Sequence, residues 1–198
     1  AELYADTGQF KNSNKLFREL IRLQPGTYAT FGWQLQILIN TRNIGANPIQ
    51  TVKELKRLVT LWKKVKNAKD AEPDRVKKDE AGIEEQLRVM AVTYHQQALK
   101  TKAPADYALA YELYSDYIKV FPEGPNAYDM TFYFGELLYQ QKKWKLAARA
   151  YEKVLGMKPR GKEDYTTAAA HGTVLSYKKL LQPPQGRPDT KTAKDGKQ

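Results

Sequence analysis

Three segments of this chain share one spacing: an aromatic residue, a second aromatic seven positions on, and a proline eight positions after that. They are Phe10–Phe17–Pro25, Tyr107–Tyr114–Pro122 and Trp144–Tyr151–Pro159. Seven residues make two helical turns, so both aromatics lie on one stripe of a helix. Three positions after the first aromatic stands a small residue (Ser13, Ala110, Ala147), where a neighbouring helix can come close. The proline cannot continue the helix and opens the turn into the next one. A spacing that recurs without error describes a repeat array, in which each unit is a helical element that buries its apolar stripe only against its neighbours.

A chain of 198 residues, 41 % of them hydrophobic, can build a continuous core across a short stack of such units. The periodicity agrees. From Pro48 to Val65 the apolar residues Ile49, Val52, Leu55, Leu58, Val59, Trp62 and Val65 fall on one helical stripe. No stretch sustains the alternation of a strand. Proline and glycine divide the chain into helices expected near 11–24, 28–43, 48–68, 74–101, 104–121, 126–141, 144–157 and 163–181, with a fragment of another before Thr7-Gly8. The stretch 67–80 is charged and contains Pro73, which predicts a loop, a frayed helix end or an irregular insertion. From Gln182 onward no branched aliphatic or aromatic side chain occurs, so burial cannot offset the entropy of ordering; residues 182–198 are expected to be a disordered tail or linker.

These residues resemble the tetratricopeptide repeat (TPR), a family of paired antiparallel helices. Gly135 and Ala98 match its small position in the first helix, and Gly172 starts another repeat. The unit from Tyr128 to Pro159 is the best match. Pro122 and Pro159 are 37 residues apart, slightly more than the family's period, and the extra residues sit in Pro122-Glu123-Gly124-Pro125. Between Pro25 and Pro122 the closing proline is missing, which predicts an insertion or a kink between two sub-arrays. The resemblance implies an all-α fold, a right-handed solenoid of antiparallel helix pairs over residues 1–181. The array starts part-way through a repeat and ends in a linker, as a piece cut from a longer protein would. Tyr117-Ile118-Lys119-Val120-Phe121-Pro122 with Asn126-Ala127-Tyr128 resembles a subtype found in bacterial cell-envelope proteins, among them the outer-membrane-assembly lipoprotein and the Tol–Pal coordinator. That implies the bacterial periplasm or cell envelope, with the cytoplasm as the alternative.

The resemblance also implies a function: a protein-interaction scaffold that holds partner segments in its concave groove, as part of a larger envelope complex. Mapped onto this sequence, the groove comprises Asp129, Phe132, Glu136, Tyr139 and Gln140 on one helix. Val92, His95 and Leu99 belong to the helix before it, Thr173 and Tyr177 to the last, and Trp33 and Gln36 join with poorer register. The Lys and Asn set with which one variety of the family clamps a terminal carboxylate is not found.

Charge offers an alternative. The net charge is +11, and it is concentrated. Seven basic residues face one acid between Lys53 and Lys69, and eight face one between Lys142 and Lys162. Lys53, Arg57, Lys64, Lys142, Lys145 and Arg149 are expected on outer helix faces, where they would draw a nucleic acid or an acidic protein, or simply be solvated. No base-stacking module is recognisable, which favours protein over nucleic acid.

No constellation for catalysis is found, and the chain is not expected to be an enzyme or to need a cofactor. There is no cysteine, hence no disulfide, thiolate metal site or thiol nucleophile. Gly156-Met157-Lys158-Pro159-Arg160-Gly161-Lys162-Glu163 approaches a phosphate-binding loop, but Glu163 stands where Ser or Thr would hold magnesium and a helix precedes it. Neither His95 nor His171 has a partner at metal-ligand spacing. No apolar run reaches the ~20 residues of a membrane-spanning helix.

Overall fold

In the computed structural model, residues 1–159 and 163–182 are described. The helices are α1 (Glu2–Asp6), α2 (Phe10–Leu23), α3 (Ala29–Asn43), α4 (Pro48–Val65), α5 (Pro73–Thr101), α6 (Pro104–Val120), α7 (Ala127–Gln140), α8 (Trp144–Leu155) and α9 (Thr166–Leu181). No strand occurs among the described residues. The expected tail lies outside them from position 183 on, as do residues 160–162 of the phosphate-loop-like stretch.

The helix starts follow from local chemistry. α4, α5 and α6 open on Pro48, Pro73 and Pro104, at first-turn positions whose N–H would have no helical acceptor. Asn47 caps α4, its side chain accepting from the Ile49 N–H at 2.8 Å. α3 is capped from a distance: the Tyr28 N–H donates to both carboxylate oxygens of Asp70, at 3.0 and 2.9 Å. Because Pro73 suits a first turn, 73–80 forms the opening turns of the 29-residue α5, and only residues 66–72 connect it to α4.

Consecutive helices run antiparallel. Asn40, near the end of α3, donates to Ser13 and Asn14 at the start of α2, at 2.9 Å each. Tyr117, late in α6, donates to Glu84, early in α5, at 2.5 Å. First helices of successive pairs lie side by side. Tyr128, at the start of α7, accepts from the Tyr165 N–H just before α9 at 2.7 Å. The turn into a second helix recurs as well. Gly8, Lys102 and Lys142 each take a left-handed conformation (φ 74°, 56° and 57°) two residues before α2, α6 and α8 begin.

The repeat's aromatic wedge is visible at Tyr151, whose buried ring on α8 is held between Gly135 of α7 and Gly172 of α9. A Cβ on Gly135 would stand 2.8 Å from the ring, and one on Gly172 2.7 Å. Tyr114 is fully buried, as are Ala98 and Ala110 on the two helices of its pair. In the middle of the array the junction is thin: α4 meets α5 much more sparsely than other neighbouring helices meet. Large side chains, Trp62 against Phe121 at 6.3 Å among them, fill the space in a core continuous from α3 to α7.

Candidate protein-binding surfaces

The residues expected to line the concave groove do not form one open surface. Phe132 is buried, and its ring lies flat on Tyr165, with centroids 4.2 Å apart and planes at 5°. The segment that enters α9 covers it, a neighbour 33 positions away in the chain. His95 is also buried, between α6 and α7. Its Nδ1 is 3.2 Å from the Tyr114 hydroxyl and its Nε2 is 3.4 Å from Gln140 Oε1. Burial pushes the imidazole below its ordinary pKa, more strongly than the Gln140 hydrogen bond and the Glu136 charge raise it. These two residues are packing and clamping groups rather than groove lining.

Several of the others also tie helices together. Glu136 accepts from the Tyr151 hydroxyl at 2.5 Å. Tyr139 packs edge-on against Trp144 at 4.8 Å, joining α7 to α8. The Tyr177 hydroxyl donates to Glu152 at 2.8 Å. Thr173 bonds back to the Ala169 carbonyl, and Gln36 donates to Asn40. Asp129 is half-buried with one oxygen unpaired; burial and Glu163 push its carboxyl up, against the pull of Arg88. Trp33 and Val92 are half-buried, and Leu99 is exposed.

A groove lies instead on the outer side of the stack, along α4. Ile49, Val52, Lys53, Lys56, Arg57, Thr60, Leu61 and Lys64 form one stripe of that helix and line it. Ile21 of α2 borders it, and Leu109 and Glu112 of α6 close it opposite; the space is about 600 Å³. Periodicity alone assigns Ile49 to the core, but it is exposed. The floor of Ile21, Ile49, Val52, Leu61 and Leu109 is apolar, and the rim is cationic.

The cations differ in how far they are engaged. Arg57 and Arg18 reach the buried carboxylate of Glu54 at 2.8 and 3.1 Å, and Gln34 and Gln50 donate to it at 3.0 and 2.6 Å. Burial pushes that carboxyl up, yet the hydrogen bonds from Gln34 and Arg57 and the two positive charges hold it below its ordinary value. Lys56 bridges to Glu112 at 2.8 Å and Asp116 at 3.6 Å. Lys53 and Lys64 have no ion pair among the described residues. Of the basic positions expected on outer faces, Lys53, Arg57 and Lys64 therefore meet in this groove. Lys142, Lys145 and Arg149 are exposed on and beside α8, which packs on α7 and α9.

Among the described residues no group of three or more His, Cys, Asp or Glu could hold a metal ion. No helix among them is long and apolar enough to cross a membrane.

No protein-family model and no curated protein matches the chain. Among solved structures, the nearly identical TPR-like repeats of a Podosopora anserina putative kinesin light chain match at 14 % identity with a TM-score of 0.38, over 90 % of this chain and 82 % of that one. A single-substitution variant of the same repeats gives 0.37 at the same identity and coverage. Helix pairs in antiparallel order, first helices side by side, and a buried aromatic wedged between small residues make this chain an all-α, TPR-like repeat array.

Proposed function

We propose that the chain is a protein-interaction scaffold that receives a partner segment in the outer groove along α4. The observation that carries this is the apolar floor of that groove, which no helix covers between α2 and α6. Exposed apolar surface with a polar rim is the anatomy of a protein-binding site. A rigid array adds little ordering cost of its own, so the partner segment bears most of it. The apolar floor also weighs against nucleic acid, whose backbone needs a polar, cationic track. The Tyr117–Pro122 segment and the cysteine-free composition support placing this scaffold at a bacterial cell envelope.

A second surface has support. Leu99, Gln140 and Tyr177 on the first helices are exposed, and with Val92 they could extend binding to the concave side.

Photo-crosslinking separates the two surfaces. A benzophenone amino acid is placed at Ile49 or Thr60 on the outer groove, or at Val92 or Leu99 on the inner side, in cells that make the protein naturally. Adducts to one discrete protein from the outer positions are expected. Adducts from the inner positions alone would move the binding surface to the concave side. No protein adduct at any position would refute the scaffold reading.

A further inference from the structure

We infer that the occupant of the outer groove is an acidic, amphipathic α-helix of about four turns, docked along α4; this rests on the scaffold reading above. The dimensions come first. The lining stripe runs from Ile49 to Lys64, fifteen steps along one helix, or ~22 Å at ~1.5 Å per residue. A helix of about fifteen residues covers that length, and its apolar face fits a floor flanked by two other helices, as in helix-in-groove recognition.

Charge selects the chemistry of the flanks. Arg57 is committed to Glu54, and Lys56 to Glu112 and Asp116. Lys53 and Lys64 remain, without a carboxylate in reach among the described residues. They are eleven residues apart on one helix, three turns, and so point to the same side of it about 16 Å apart. A partner helix lying along α4 meets both with carboxylates spaced three turns apart, at i and i+11. The single acid in the lining, Glu112, is neutralised by Lys56, so the free charge of the groove is cationic. Charges at such a rim set orientation and encounter rate, while the apolar floor supplies the burial.

The test uses the whole chain and synthetic helical peptides of fifteen residues, read by fluorescence anisotropy. The first peptide carries Leu and Ile on one face and Glu at positions 2 and 13. The second has Lys in place of Glu, and the third is the first with its sequence scrambled. The first is expected to bind, with the second and third at least about tenfold weaker. In the protein, K53E/K64E should weaken the first peptide about tenfold and strengthen the second. The reciprocal gain is something a merely structural lesion cannot produce, and circular dichroism confirms that the variant is folded. Equal binding of the acidic and basic peptides, both lost with Thr60→Arg, would overturn the acidic-helix inference but leave the groove as a protein site. Single-stranded oligonucleotide binding that depends on Lys53 and Lys64 and outcompetes the acidic peptide would overturn both readings.

Discussion

The clamp on Tyr151 gives a sharp test of the fold, because two opposing effects of one substitution can be weighed. Gly135→Ala in the middle of α7 gains ~0.8–1 kcal/mol of helix propensity. In open space that gain is what would be measured. Here the new methyl group meets Tyr151 Cε1 at 2.8 Å and Cδ1 at 2.9 Å. Carbon atoms prefer about 3.5–4.0 Å, so the ring must retreat by about 0.7 Å or more. It cannot retreat freely, because the Gly172 backbone lies on its other edge, so close that an added Cβ there would stand 2.7 Å from the ring, and its hydroxyl is tied to Glu136. Overpacking of this kind costs ~1–3 kcal/mol, which exceeds the propensity gain. The net expectation is a loss of about 1 kcal/mol, read as a lower urea midpoint in far-UV circular dichroism. Gly82→Ala is the control: no atom lies within 4 Å of a Cβ at that site in α5, so that variant should gain stability. In a Tyr151→Leu background Gly135→Ala should also become stabilising, a coupling between the two sites that a double-mutant cycle isolates. Should Gly135→Ala raise the midpoint as Gly82→Ala does, the ring is not clamped and the repeat register drawn here is wrong.

Lys142 holds a left-handed conformation that favours glycine, so Lys142→Gly should raise stability by roughly 0.5–1 kcal/mol in the same urea assay. His95 is held below its ordinary value of 6.5 in the folded state, so the folded form binds fewer protons than the unfolded one; stability should be full above pH 6.5 and fall as pH drops below it. His95→Gln should flatten that slope between about pH 7.5 and 5.5. Asp70→Ala removes the acceptor of the Tyr28 N–H at the start of α3 and should cost about 1 kcal/mol, seen as faster amide exchange in the first turn of that helix.

Much of the fold is legible in the sequence because its signals are local. Two turns separate Tyr107 from Tyr114 and Trp144 from Tyr151 whatever the tertiary structure, and Pro48, Pro73 and Pro104 mark helix starts by their own geometry. Gly135 and Gly172 match the family's small position, and the structure shows why: each leaves room for the Tyr151 ring. The surfaces are less legible, because a groove is defined by what does not cover it. Phe132 sits at a groove position on its own helix, and only the approach of Tyr165 buries it. Ile49 lies on the apolar stripe of α4 like any core residue, yet no helix packs over it. The basic run from Lys53 to Lys69 signals a charged outer face. Arg57 has its acid three residues back at Glu54, but that Lys56 is neutralised while Lys53 and Lys64 are left beside an apolar floor depends on Glu112 and Asp116, which only the folded chain brings to Lys56.

The thin junction between α4 and α5 has a mechanical meaning. A linear stack behaves as an elastic rod whose stiffness is set by coupling between adjacent elements, so an applied load concentrates at the weakest coupling. Residues 66–72 connect the two helices across that junction, and the outer groove spans it: α4 forms one side, and Leu109 and Glu112 of α6 the other. Any change in the angle between α4 and α6 would alter the span that Lys56 bridges to Glu112 and Asp116, and with it the width of the groove. A load that changes that angle and an occupant of the groove would therefore act on the same Lys56–Glu112–Asp116 contact.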